Sequence, residues 1–144
     1  MTDKEQKKAA QAFAAKWQGH GYEKGETQSF WADLLHSVYG VENPPEYMTC
    51  EVQVIVDNET NFIDVYLPAT RVMIEQKSIN KDLSKPVRQS DGTLLTPLQQ
   101  LKNYAMNIGY SKYPRWAITC NFREFHIYDM EQPNGEPSIS KSNE

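Results

Sequence analysis

The chain has 144 residues, a formal net charge of −4 and a hydrophobic fraction of 39%, with eight Tyr, five Phe and three Trp. That composition builds one globular domain with a buried core and excludes a disordered chain, while no apolar run approaches the ~18 residues of a membrane span. The acidic balance excludes a stand-alone protein that coats nucleic acid through a basic surface, but not a module whose acidic ligands hold a cation.

Residues 6–17 carry Ala10, Phe13, Ala14 and Trp17 at helical spacing, and Gly19-His20-Gly21 breaks that helix. A second helix is predicted from Glu26–Thr27 to Tyr39, with the stripe Phe30, Trp31, Leu34, Leu35, Val38 and a terminating Gly40. Asn43-Pro44-Pro45 is expected to be a rigid connection. Cys50–Val56 reads as a strand, Asp57–Thr60 as a hairpin turn, and Phe62–Leu67 and Arg71–Lys77 as two more strands about the turn Pro68-Ala69-Thr70. Ser78–Leu95 is a polar loop longer than usual, of the kind that is functional or mobile. Thr96-Pro97-Leu98-Gln99 then opens a helix, with Thr96 as cap, Pro97 in the first turn and Gln99 completing a capping box. Leu98, Leu101, Ala105 and Ile108 form its apolar stripe, and Gly109 ends it. Trp116–Cys120 and Phe125–Tyr128 are the last strands expected; from Glu131 onward the chain reads as a linker or tail. The order gives a mixed sheet flanked by helices, an α/β (α+β) domain over residues 1–130 with a tail over 131–144. Cys50 and Cys120 lack metal spacing, and Met1–Lys8 lacks the apolar stretch of a secretory signal; both point to a reduced, cytoplasmic compartment.

Side chains alternate along a strand, so Glu75 and Lys77 point the same way, and Asp64 on a paired neighbouring strand can lie opposite them. Two carboxylates and an ammonium then converge, the arrangement that holds a divalent cation and a water nucleophile for phosphodiester hydrolysis. Mg²⁺, with Mn²⁺ as its substitute, wants hard oxygen ligands and keeps several waters, so Asp64, Glu75 and the backbone carbonyl of Gln76 suffice. Lys77 is placed to orient or deprotonate the water and to offset transition-state charge. Glu26 either binds metal-linked water or is an acid favouring a helix N-terminus. Gln100 and Tyr104, four apart on one helix face, either support Lys77 or touch DNA, or simply flank the sheet. Lys81, Lys85 and Arg88 either contact phosphates or decorate a solvated loop. Asn43-Pro44-Pro45-Glu46 resembles an amino-methyltransferase motif, but Glu46 stands where its aromatic belongs and no Gly-rich cofactor loop precedes it. His20, His36 and His126 have neither metal spacing nor an adjacent nucleophile.

This order of motifs resembles the PD-(D/E)xK nuclease superfamily, whose restriction-endonuclease-like core runs α-β-β-β-α-β; an extra N-terminal helix and a C-terminal strand would be added here. Gln100-Leu-Lys-Asn-Tyr104 resembles the Gln-x-x-x-Tyr motif of the RecB-type branch, and Ile63 stands where the superfamily's nominal Pro would. Glu26–Leu35, Ile63-Asp64-Val65, Ile74–Ser78 and Thr96–Gln100 are together similar to the N-terminal nuclease domain of MmeI-like Type IIL/IIG single-chain restriction–modification enzymes. The resemblance implies a bacterial endonuclease domain acting on double-stranded DNA, with a transient dimer serving double-strand cleavage. In the parent chain an adenine methyltransferase, which uses S-adenosylmethionine, and a target-recognition domain would follow; the sequence is then an excised domain. A catalytically silent DNA-positioning or interaction module of the same fold is the alternative, and an unrelated mixed-sheet binding domain a third.

Overall fold

Thr2 starts the first helix with a reciprocal cap, its hydroxyl accepting from the Glu5 N–H while the Glu5 carboxylate accepts from the Thr2 N–H. That cap moves the start of α1 (Asp3–Trp17) ahead of its apolar stripe. The computed structural model describes residues 1–131 and, as backbone alone, 137–142. Helix α2 (Glu23–Asp33) runs into a single π-helical turn, Leu34–Val38. The expected Asn-Pro-Pro connection is a one-turn helix, α3 (Pro44–Tyr47), because Pro at its first positions needs no N–H there. Strands β1 (Thr49–Val56) and β2 (Glu59–Leu67) are joined by Asp57-Asn58, both at positive φ, the turn geometry whose twist matches a hairpin. After β3 (Val72–Gln76), the polar stretch contains a two-stranded hairpin, β4 (Val87–Arg88) with β5 (Leu94–Leu95). Helix α4 (Pro97–Asn107) keeps its capping box, Thr96 with Gln99. Strands β6 (Trp116–Cys120), β7 (Glu124–Asp129) and β8 (Pro137–Ser142) complete the chain.

The sheet order is β1-β2-β3-β6-β7-β8, parallel only between β3 and β6, where α4 makes the crossover. Strand β8 pairs antiparallel with β7, so Pro137–Ser142 is part of the sheet rather than tail. The remaining residues expected to be tail, 132–136 and 143–144, lie outside the described residues. Among the described residues no helix is long and apolar enough to cross a membrane.

Three layers result. On one face α1, α2 and the π turn bury Phe13, Trp17, Phe30, Trp31 and Leu35 against Val65, Leu67, Val72 and Ile74. On the other, α4 buries Leu101, Tyr104 and Ala105 against Ile63, Tyr66, Met73, Ala117 and Tyr128, while Leu98 and Ile108 of the expected stripe are only partly covered. Asp33 joins α1 to α2, accepting from Trp17 Nε1 at 2.8 Å and pairing with Lys16 at 3.0 Å. Phe30 is the hub of the first layer, with ring contacts to Phe13, Trp17, Trp31, Phe122 and Phe125. Replacing Phe30 with Ala should therefore lower unfolding free energy by about 3–5 kcal/mol, read from a urea denaturation midpoint. A loss below about 1 kcal/mol would show that the aromatic cluster collapses into the space, contrary to this packing.

Candidate functional site

The hydrogen-bond ladder between β2 and β3 stops at Val65 and Ile74. One residue further, the Asp64 carboxylate takes the place of a strand, accepting from the Gln76 N–H at 2.7 Å. Across β2, the Glu51–Asp64 position is missing from an otherwise continuous β1–β2 register, and Glu51 has φ 55°. The inner side chains change sheet face across this point. Cys50 and Val65 pack with the α1–α2 layer, whereas Val52, Val54 and Ile63 pack with α4. Asp64 thus stands where the sheet's outer ribbon parts from β3.

Strand β3 is buried along its whole length. Alternation sends Val72, Ile74 and Gln76 toward α1–α2, and Met73, Glu75 and Lys77 toward α4. Gln76 is locked on its side, its Oε1 accepting from Trp31 Nε1 at 2.7 Å and its Nε2 donating to the Lys77 carbonyl. On the α4 side, Lys77 Nζ and Glu75 Oε2 form an ion pair at 2.9 Å, with the two residues only 7% and 4% exposed. Desolvation, the charge of Asp64 and the nearby Glu23 push the Glu75 carboxyl up to about 8, against the pull of Lys77. Desolvation likewise raises Asp64 to about 6, with Glu23 and Glu51 adding to it and the Gln76 N–H and Lys77 opposing. Burial works against the Lys77 ammonium, but Glu75, Glu23 and Asp64 outweigh it and raise its pKa. Three acids share one ammonium here, and the site is short of positive charge.

Glu23 shares the electrostatics of these groups, whereas Glu26 is tied to its own helix start. The Glu26 carboxylate folds back on the helix start, accepting from the Gly21 and Tyr22 N–H groups at 3.0 and 2.8 Å and meeting His20 Nδ1 at 2.7 Å. Helix α2 begins at Glu23 with Tyr22 as an N-cap that supplies no side-chain bond, so Glu26 caps in its stead. Glu23 interacts instead with Lys77, Lys81 and Asp64. Gly21 makes this approach feasible. Its carbonyl accepts from Ile79 N at 3.1 Å, and a Cβ there would lie 2.3 Å from Ile79 Cβ. Sequence offered only a weak sign of Glu23, an acid in a first helical turn.

Gln100 and Tyr104 of α4 are buried, and the Tyr104 phenol feels both Glu75 and Asp64. Tyr104, expected among the DNA contacts, is therefore 8% exposed and lies beneath the helix beside the acids rather than on the surface. Lys81, Lys85 and Arg88 are exposed on the segment after β3. That segment is anchored: Leu83 is buried, and Asn121 Nδ2 donates to the Lys81 carbonyl at 2.8 Å.

Among the described residues no group of three or more His, Cys, Asp or Glu side chains converges to hold a metal ion. A two-carboxylate site for a hard cation does not need one, since Mg²⁺ retains several waters. Glu75 Oε1 is buried and has no hydrogen-bond partner, an acceptor oxygen that a cation or its water would satisfy. Asp64, Glu75 and the surplus negative charge around Lys77 fit a divalent cation.

A protein-family model described as MmeI, N-terminal domain, matches residues 8–141. No curated protein and no solved structure matches the chain.

Raised carboxyl pKa values make a prediction with a definite sign. The folded protein keeps protons on Asp64 and Glu75 that the unfolded chain, titrating near 3.8 and 4.5, has released. Their stabilising contribution is complete below about pH 4 and is lost as pH rises through the folded values. Without divalent ions, the melting temperature should fall between pH 5 and pH 8.5, and Asp64→Asn with Glu75→Gln should flatten that fall. An identical pH profile in the double variant would contradict the assignment.

Proposed function

The chain belongs to the MmeI N-terminal domain family, and on that premise we propose that it is a Mg²⁺-dependent DNA endonuclease domain of a restriction–modification enzyme. The observation that carries the reading is the buried Glu75–Lys77 pair beside Asp64, with a Glu75 oxygen lacking any donor. The family suggests the restriction–modification context. The order α2-β1-β2-β3-α4-β6, with α1 ahead of it and β7 and β8 behind, supports a restriction-endonuclease-like core. An adenine methyltransferase and a target-recognition domain in the same parent chain belong to the proposal, as does a transient dimer on double-stranded DNA. Retention of Asp64, Glu75 and Lys77 together favours an active domain over a silent copy.

When bound, Mg²⁺ would polarise the scissile phosphate and acidify water. Asp64 and Glu75 would hold the ion. Asp64 is oriented by the Gln76 N–H, so that its other oxygen remains available. Glu75 is tied through Oε2 to Lys77, which leaves Oε1 free. The Lys77 ammonium, buried and held by that pair, would orient the attacking water and meet charge as it develops on the phosphate. Glu75 is the main group that keeps Lys77 protonated, with Glu23 and Asp64 adding to it, and desolvation, helped by Glu23, raises both acids. Tyr104 and Gln100 shield this face from bulk water. Lys81, Lys85 and Arg88 lie on the exposed segment that follows β3 and would meet the DNA backbone.

Lys77→Ala in the parent enzyme tests the assignment. Both carboxylates remain, while the group that orients water is gone, so plasmid cleavage should slow by about 100-fold or more. Methylation of the same DNA, carried by a separate domain, should continue at its normal rate. Wild-type cleavage by Lys77→Ala would make the residue merely structural and overturn the mechanism.

A further inference from the structure

The hairpin β4–β5 ends in a turn whose geometry is set by Gln89. Its backbone N–H donates to the Thr93 carbonyl at 2.7 Å and its carbonyl accepts from the Gly92 N–H at 3.0 Å. Its side-chain Nε2 donates to the Val87 carbonyl at 2.7 Å, which leaves Oε1 facing α4. There it accepts from Gln100 Nε2 at 3.1 Å. The Gln100 amide is thereby oriented: its NH₂ is turned to the hairpin, and its carbonyl Oε1 is buried with no donor. Glu75 Oε1 and Thr119 Oγ1, neighbours in the β3–β6 register, are likewise buried without partners. The Tyr104 phenol, hydrogen-bonded to the Gln100 side chain, feels both Glu75 and Asp64, so this amide borders the acids, where each unpaired buried acceptor costs about 1–3 kcal/mol.

We propose that Gln89 is a positioning residue, holding the Gln100 amide with its carbonyl oxygen toward the acid site and its NH₂ away from the Glu75 carboxylate. The inference rests on the cation-dependent reading of that site. Gln89 keeps Glu75 Oε1 open and adds a third oxygen, from Gln100, to the two carboxylates. An oxygen-only set is what a hard divalent cation and its waters take. The hairpin is in this way joined to the chemistry by two amides in series.

The test is a double-mutant cycle of Gln89→Met, similar in length but only a weak acceptor for the amide, with Gln100→Leu. Mn²⁺ binding to the chain is followed by calorimetry. Each single variant should weaken Mn²⁺ binding by roughly tenfold, the scale of a lost supporting bond at a metal site, and the double variant should be no weaker than Gln100→Leu alone. Wild-type affinity in Gln89→Met, or losses that multiply, would overturn the proposal. NMR of the Gln100 side-chain amide supplies a readout independent of metal. Its NH₂ protons should show cross-relaxation with the hairpin in the wild type and with β3 in Gln89→Met; unchanged contacts would refute the positioning role. A wild type that takes up no Mn²⁺ would sink the nuclease reading, while the NMR result still decides the role of Gln89. Gln89→Asn, which withdraws the amide by one methylene, serves the same comparison if Gln89→Met does not fold.

Discussion

The ion pair between Glu75 and Lys77, buried under α4 in the middle strand of the sheet, is the interaction on which the surrounding structure depends. Taking charged groups out of water costs several kcal/mol per ion, which is why desolvation pushes the Glu75 carboxyl up to about 8, and an apolar pair of similar size would often be as stable or more so. Its setting explains why it can exist. Strand β3 is fixed on both sides, by β2 and by β6, and Gln76 between the two charges is bolted to Trp31 on the opposite face. The backbone thus holds Glu75 and Lys77 on one face, and their mutual attraction is left to offset part of the desolvation. The unpaired Glu75 oxygen shows that the offset is incomplete. A site built for stability would have supplied that oxygen with a donor.

The neighbouring elements bend to accommodate this pair. Strand β2 abandons the ladder at Val65, and Asp64 substitutes a carboxylate for the missing strand partner of Gln76. The opening is made by Glu51, an exposed residue in the left-handed region at φ 55°, which costs about 1–2 kcal/mol for a side chain of this kind. Phe122, at φ 74° in the β6–β7 turn, carries the same type of strain, offset by its burial against Phe30. Strain of this sort persists where the surrounding packing over-determines the backbone. At Glu51 it sits beside Asp64, at the position missing from the β1–β2 register.

Where local chemistry decides structure, the sequence was readable. Thr96, Pro97 and Gln99 announced α4, the run Trp116–Cys120 announced β6 with its boundaries, and the mixed α/β arrangement followed from the order. Alternation alone put Glu75 and Lys77 on one face. Long-range contacts decided the rest. Helix α2 has Tyr22 as its N-cap, a residue without a capping side chain, so the sequence carries no sign of a start at Glu23, and of the two roles open to Glu26 the helix-start acid is the one its hydrogen bonds match. Gln100 and Tyr104 share a helix face with the apolar stripe, so their burial is legible in the spacing, whereas the nearness of Tyr104 to Glu75 and Asp64 is set by the crossover and is not. Strands of two residues, β4 and β5, have no periodicity to detect, and the polar Pro137–Ser142 gains its strand character from pairing with β7.

Anomalous diffraction from crystals equilibrated with Mn²⁺ tests the central claim most directly. The account predicts a peak between the carboxylates of Asp64 and Glu75, on the α4 side of β3, with Lys77 beside it and Glu26 still turned to His20. A peak that avoids both carboxylates, or none within reach of Glu75 Oε1 at saturating Mn²⁺, would contradict it.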